Sequence, residues 1–132
     1  MILFFALAFA VNQSPTDIAH GRMSAIDEWR EVVIRDAAAW EALWAEHTHI
    51  ATLPSVDFDT EMVVGIFLGM RPSAGHDVAI TGARVAGDVL IVSYIERSPA
   101  PGMMSAQMLT APYHLVRVPR HDGDVRFEPV RR

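Results

Sequence analysis

The stretch MVVGIFL, residues 62–68, decides the fold class of this chain. Every position in it is apolar, so both faces of the strand that it predicts must be covered. Two further runs, VLIVSYI at residues 89–95 and YHLVRV at residues 113–118, predict strands of the same kind. Gly87-Asp88 is a two-residue hairpin signal that joins the first of these runs to a strand over 78–85. The centre of the chain therefore predicts antiparallel strands.

One helix is predicted over residues 37–47, with Asp36 as its N-cap. Trp40, Leu43 and Trp44 follow the spacing i, i+3, i+4 and form one apolar face. Two tryptophans on one face could serve a ligand, but this spacing is typical of a helix that packs on a sheet.

The strands on either side complete the expected fold. A short strand is predicted over 31–35, before the helix, and Asp122-Gly123 predicts a last hairpin that leads to a strand at 125–127. We therefore expect an α+β fold. It should be mainly an antiparallel β-sheet or a partly closed barrel, with one N-terminal helix packed on it.

Length and composition exclude several classes of function. The chain has 132 residues, which fits a single domain, a net charge of −5 and no cysteine. Its one basic run is the pair Arg131-Arg132. Because phosphate binding depends on clustered cations, nucleic acid is not an expected partner. The lack of cysteine excludes disulfides, thiolate metal sites and a cysteine nucleophile.

The N-terminus carries a targeting signal. Residues 1–11 read MILFFALAFAV, an apolar run in which Ala8-Phe9-Ala10 resembles a signal cleavage site. The run is too short for a stable membrane span. We expect an exported protein, periplasmic or extracellular; a buried N-terminal strand is the alternative. Residues 12–24 predict a flexible lead-in, and residues 25–132 a single domain.

No pattern in the sequence predicts catalysis or a cofactor. Ser73 lies near His76 and Asp77, but the stretch lacks the first glycine of a nucleophile elbow. His47 and His49 are two residues apart, which does not suit a zinc-binding helix face. We therefore expect no catalytic residue, no metal site and no cofactor.

Three alternating carboxylates precede the central strand. They are Asp57, Asp59 and Glu61, and an extended backbone would place them on one side. A calcium loop would also need a glycine turn and a bidentate glutamate at the loop spacing. A solvated approach to the strand is the favoured interpretation.

Three loops remain as candidates for protein recognition: residues 69–76, 98–105 and 110–113. Proline, methionine and tyrosine on rigid loops offer apolar area at low ordering cost. The alternative is that these loops only pack on one another at the end of the sheet. The candidate partner-binding residues are Arg71, Pro72, Gly75, His76, Pro99, Pro101, Met103, Pro112 and Tyr113.

From Trp40 to about Phe127 the chain resembles the C-terminal domain of the protease complex subunit PrcB. The resemblance rests on Trp40-Glu-Ala-Leu-Trp44 with His47, Val56-Asp57-Phe58, Phe67-Leu-Gly69-Met-Arg71-Pro72, Gly75, Pro99-Ala-Pro101-Gly102 and Pro112-Tyr113. The chain has Ala74-Gly75-His76 where that family tends to have Gly-Gly-Tyr. The resemblance implies a non-catalytic, extracytoplasmic domain over residues 25–132. The first hypothesis is that this domain binds another protein through the three loops, as an accessory or stabilising partner of an exported protease.

A second hypothesis is a small protease inhibitor. The loop from Arg71 to His76 is similar, over a few residues, to the Pro-x-x-Gly-Tyr loop of chagasin-type inhibitors of cysteine proteases. Like the first hypothesis, it implies a partner that is a protein.

Overall fold

Eight strands and one helix make up residues 11–102 and 105–130, the part of the chain that the computed structural model describes. In chain order they are β1 (Val11–Asn12), β2 (Thr16–Gly21), β3 (Arg30–Ile34), α1 (Ala37–His47), β4 (Glu61–Phe67), β5 (Asp77–Ala86), β6 (Val89–Arg97), β7 (Tyr113–Pro119) and β8 (Val125–Pro129). The chain is thus mostly β with one short helix, consistent with the α+β class. The predicted leader at residues 1–11 lies outside the described residues except for Val11.

The strands form two four-stranded sheets, in the orders β2-β7-β4-β3 and β1-β5-β6-β8. Neighbouring strands are antiparallel except for β6 and β8, which are parallel. The sequence allowed a partly closed barrel as an alternative. That alternative is wrong, because the two sheets do not close on each other.

Strand β4 is buried on both faces, as its sequence predicts. Met62, Val64 and Ile66 point into the core between the two sheets. Val63 and Phe67 point the other way, into a second core beneath the helix. Residues of a strand alternate between its faces, so an uninterrupted apolar run serves a sheet that is covered on both sides.

Helix α1 begins and ends where the sequence predicts. Asp36 Oδ1 accepts the backbone N–H of Ala39 at 2.8 Å, which satisfies one free donor of the first turn. Trp40 and Trp44 are buried, and their indole N–H groups donate to the carbonyls of Pro54 and Ala51. The helix is not N-terminal, however, because three strands precede it. No helix of the described residues has the length and apolar character that a bilayer span needs.

Two local predictions differ from the structure. The flexible lead-in predicted over 12–24 contains β2, which pairs with β7. The hairpin predicted at Asp122-Gly123 does not form, because both sides of β7 are already paired with β2 and β4, and β8 joins β6 instead. The hairpin at Gly87 is confirmed: Ala86 pairs with Val89, and Gly87 has a φ of 61°.

Candidate docking cleft

An open cleft lies at one end of the sheet β2-β7-β4-β3, where the chain leaves β2 and β4 and enters β7. Ala111 N–H donates to the carbonyl of Arg22 at 2.7 Å, and Ser24 N–H donates to Ala111 at 3.1 Å. On the other side, Arg71 and Thr110 exchange two backbone hydrogen bonds of 2.7 and 2.9 Å. Residues 110 and 111 are therefore held between the segments that follow β2 and β4.

The cleft has a volume of about 270 Å³, and exposed apolar side chains dominate its lining. Met23 is 65% exposed, Met70 50% and Leu109 61%. Asp27 provides the one charge among the described residues that line it. We call this site the apolar cleft; the lining residues that matter below are Met23, Ser24, Asp27, Met70, Leu109 and Ala111.

A buried aromatic cluster supports the wall that contains Ser24. The Oγ of Ser24 lies 2.8 Å from Nδ1 of His47 and accepts the backbone N–H of Ile26 at 3.0 Å. The His47 ring packs against Tyr113, with ring centroids 4.2 Å apart, and against Phe67, at 5.7 Å. Burial lowers the pKa of His47 and raises the pKa of Tyr113.

The Ser24–His47 pair is arranged to hold the loop in place. A serine nucleophile needs free N–H donors around the developing oxyanion and a group that orients the histidine. Here the N–H of Ser24 donates to Ala111, that of Ala25 to the His47 carbonyl, and that of Ile26 to the serine hydroxyl itself. No described carboxylate bonds to His47. The chemistry of this pair is therefore that of a buried hydrogen bond between α1 and the segment after β2.

Three of the predicted partner-binding residues, Arg71, Gly75 and Pro99, make contacts within the protein. Arg71 forms an ion pair with Glu96, with Nη2 and Oε1 3.2 Å apart. A Cβ on Gly75 would collide with the ring of Pro99. His76 is half-buried, and its Nδ1 is buried with no hydrogen-bond partner among the described residues. Loop packing, the alternative that the sequence left open, thus describes this part of the loops.

The other predicted residues divide by burial. Pro72 and Pro101 are exposed. Pro112 is buried and its carbonyl accepts the N–H of Leu68 at 2.9 Å, while Tyr113 is half-buried with its ring stacked on Phe67. Pro112 and Tyr113 therefore do not offer the apolar area expected of them, because the start of β7 is covered by α1 and β4. Met103 lies outside the described residues.

The candidate catalytic and metal-binding residues do not assemble in the described part of the chain. Asp77 Oδ1 lies 3.3 Å from Nε2 of His20, and the carbonyl of Ser73 accepts the hydroxyl of Thr110. Asp57 Oδ1 accepts the N–H of Asp59 at 3.0 Å and so closes a turn. Residues 11–102 and 105–130 contain no group of three or more histidine, aspartate or glutamate side chains that could hold a metal ion.

Met23 and Leu109 are the two large apolar cleft residues that sequence reasoning missed, and Ser24, Ala25 and Asp27 also lay outside the candidate loops. Met23 lay in the predicted lead-in, and Leu109 lay between two candidate loops. A single apolar residue in a loop carries no periodic signal, so only the fold shows that these two side chains flank Met70 at one cleft.

Residues 62–119 match the family model for the PrcB C-terminal domain. This segment is similar to the PrcB C-terminal family. The match runs from β4 to β7 and includes the cleft residues Met70, Leu109 and Ala111, and it confirms the resemblance that the sequence motifs indicate. Comparison with curated proteins and with solved structures gave no significant match.

Proposed function

We propose that this chain is a non-catalytic, extracytoplasmic domain that binds another protein through the apolar cleft, as an accessory or stabilising partner of an exported protease. The exposure of Met23, Met70 and Leu109 around one cleft carries the proposal. Apolar side chains gathered in a concave site, unlike single exposed ones, mark surfaces that a partner covers.

The size of the cleft favours a side chain over a small molecule. Sites for cofactors and small molecules usually measure about 300–1,000 Å³ and enclose most of the ligand. At about 270 Å³ the cleft is smaller and suits one or two apolar side chains. Asp27 adds a negative charge at its edge, so the complementary partner is an extended segment with an apolar residue next to a basic one.

The family supports the nature of the partner. The matched segment is similar to a family named after PrcB, a subunit of a protease complex, and the apolar run at residues 1–11 favours export. Because fold alone does not determine function, the protease remains the part of the proposal that needs a direct test.

The inhibitor hypothesis has less support from the same contacts. An inhibitory loop must present its residues to the protease, whereas Gly75 packs against Pro99 and His76 is half-buried. The accessory role places no such demand on these residues.

A matched pair of variants tests the cleft. Leu109→Glu puts a charge into the cleft, and Ile50→Glu puts the same charge at a residue that is 97% exposed and lies in the loop after α1. Each full-length protein is used as bait on extract from the cell envelope, and the captured partner is then purified for titration. We expect Leu109→Glu to weaken binding at least about tenfold, because burial of an unpaired charge is costly, and Ile50→Glu to bind as wild type.

Activity of the captured protein then separates the roles. An accessory partner prolongs the active lifetime of a protease or leaves its rate unchanged, while an inhibitor lowers the rate at saturation. Equal binding by wild type and Leu109→Glu would remove the cleft from the proposal. If wild type and Ile50→Glu capture no partner in common, the binding function as a whole is contradicted.

A further inference from the structure

Two of the three large apolar side chains of the apolar cleft are methionines that are exposed to solvent. These are Met23, in the segment after β2, and Met70, in the segment after β4. Thioethers are oxidised to sulfoxides when an oxidant reaches the sulfur. The exposure of both residues gives an oxidant this access.

Met62 provides the internal contrast. It is fully buried between the sheets, and its sulfur accepts the backbone N–H of His121 at 3.4 Å. The same chain therefore contains one methionine without solvent access and two exposed methionines at one cleft. Oxidation should be selective for the cleft over the core.

We propose that Met23 and Met70 make the apolar cleft an oxidant-sensitive docking site, which binds its apolar partner segment when both are thioethers and releases it when they are sulfoxides. This inference rests on the proposed function for the docking itself. It adds a modification site and a chemical signal, a hydroperoxide, to that surface.

The reaction needs only the hydroperoxide as co-reactant. A sulfur lone pair of Met23 or Met70 attacks the terminal peroxide oxygen, the O–O bond breaks, and an S=O bond forms. With hydrogen peroxide the leaving hydroxide takes up the proton and departs as water. The sulfur loses two electrons, and the peroxide gains them.

The consequence follows from the composition of the cleft. A sulfoxide is polar and accepts hydrogen bonds from water, so covering it with an apolar side chain leaves a polar group unsatisfied. After both methionines are oxidised, Leu109 is the one large apolar side chain left in the lining. We therefore expect the oxidised cleft to bind an apolar partner segment more weakly than the unoxidised cleft does.

The test uses full-length protein, dilute hydrogen peroxide and a labelled peptide as probe. The peptide contains no methionine and has a leucine next to an arginine, the partner chemistry proposed above. Peptide binding is assigned to the cleft by its loss in Leu109→Glu. Mass mapping of the protein should show sulfoxide at Met23 and Met70 before any appears at Met62. The affinity of wild type for the peptide should fall at least about tenfold on oxidation and recover with methionine sulfoxide reductase.

Two variants separate the cleft methionines from the others. The double variant Met23→Leu/Met70→Leu should keep its affinity for the probe after peroxide treatment, relative to an untreated sample of the same variant. Met108→Leu, which changes an exposed methionine outside the cleft lining, should lose affinity on oxidation as wild type does.

The outcomes distinguish the two proposals. Peptide binding by wild type that survives oxidation, or an equal loss in the double leucine variant, would overturn the oxidant switch and leave the docking function standing. Early oxidation of Met62 would overturn the selectivity. Failure of untreated wild type to bind the peptide would remove the apolar docking site itself, and the switch with it.

Discussion

The imidazole of His114 stacks on that of His20, with ring centroids 4.1 Å apart and ring planes 19° apart. His114 lies on β7, and its Nδ1 accepts the N–H of Ile80 on β5 at 2.8 Å. Its proton therefore sits on Nε2, which donates to Asp17 on β2 at 2.8 Å. His20 Nε2 in turn lies 2.8 Å from the carbonyl of Val78. The two rings tie β2 and β7 of one sheet to β5 of the other.

This arrangement predicts that mild acid destabilises the fold. Burial lowers the pKa of His114 below the ordinary 6.5, and the nearby His20 acts in the same direction, against the raising effects of Asp17 and Asp77. The unfolded chain then binds the proton more readily than the folded one. The neutral ring stabilises the fold above pH 6.5, and this stabilisation is lost as pH falls from 6.5 towards the folded pKa. We expect the free energy of unfolding in urea to fall by up to about 1.4 kcal/mol per pH unit for each proton taken up.

The variant His114→Asn isolates this contribution, because asparagine cannot gain a charge. We expect a shallower dependence of unfolding free energy on pH between about pH 7 and 5 than in wild type. Burial also lowers the pKa of His47, so part of the slope should persist. Slopes that are equal in wild type and His114→Asn would contradict the assignment.

Gly69→Ala should destabilise the domain while Gly82→Ala should not. Gly69 has a φ of 79°, and a Cβ there would lie 2.8 Å from backbone atoms of Glu28 and Trp29. A Cβ at Gly82 meets nothing within 4 Å. We expect a loss of about 1–3 kcal/mol for Gly69→Ala and a change within about 0.5 kcal/mol for Gly82→Ala, measured by urea unfolding. Equal stabilities would show that the loop after β4 adapts.

Trp40→Ala should cost about 3–5 kcal/mol, because a large buried side chain is removed from the core beneath α1. Trp29→Ala is the matched control. Trp29 is 43% exposed, and its ring is tilted against that of Tyr94 with centroids 6.2 Å apart. We expect it to cost about 1 kcal/mol. Thermal or urea unfolding that ranks the two variants in the opposite order would contradict the core assigned here.

Local sequence patterns predicted a helix or strand well where the pattern depends only on that helix or strand. The run at residues 62–68 requires cover on both faces, and Asp36 with Trp40, Leu43 and Trp44 defines the helix and its buried face. Strand pairing depends instead on which edges remain free. Asp122-Gly123 has the sequence of a hairpin, but β7 is already paired on both sides, so β8 joins β6. No local pattern contains that information.

In the candidate site, too, local motifs could be predicted and features that depend on the assembled fold could not. The motifs around Gly69-Met-Arg71-Pro72 and Pro112-Tyr113 lie at the end of the sheet that contains the apolar cleft. Their own residues are largely packing groups: Tyr113 lies on Phe67, and Gly75 lies on Pro99. The exposed side chains of the cleft stand beside these motifs, and Met23 comes from a segment that shows no periodicity. Exposure depends on the assembled fold, so it could not be predicted from the sequence.

The hydroxyl of Ser24 should matter for stability and not for catalysis. It lies 2.8 Å from Nδ1 of the buried His47 and accepts the N–H of Ile26, so Ser24→Ala leaves two buried polar groups without their partner. We expect a loss of about 1–3 kcal/mol in urea unfolding. Ser55→Ala, at an exposed position, should change stability by less than about 0.5 kcal/mol. Wild type and Ser24→Ala should show the same background rate with activated esters, because the N–H groups around this hydroxyl are already paired within the protein. An ester hydrolysis rate that wild type shows and Ser24→Ala lacks would instead make Ser24 a nucleophile and the apolar cleft its substrate site.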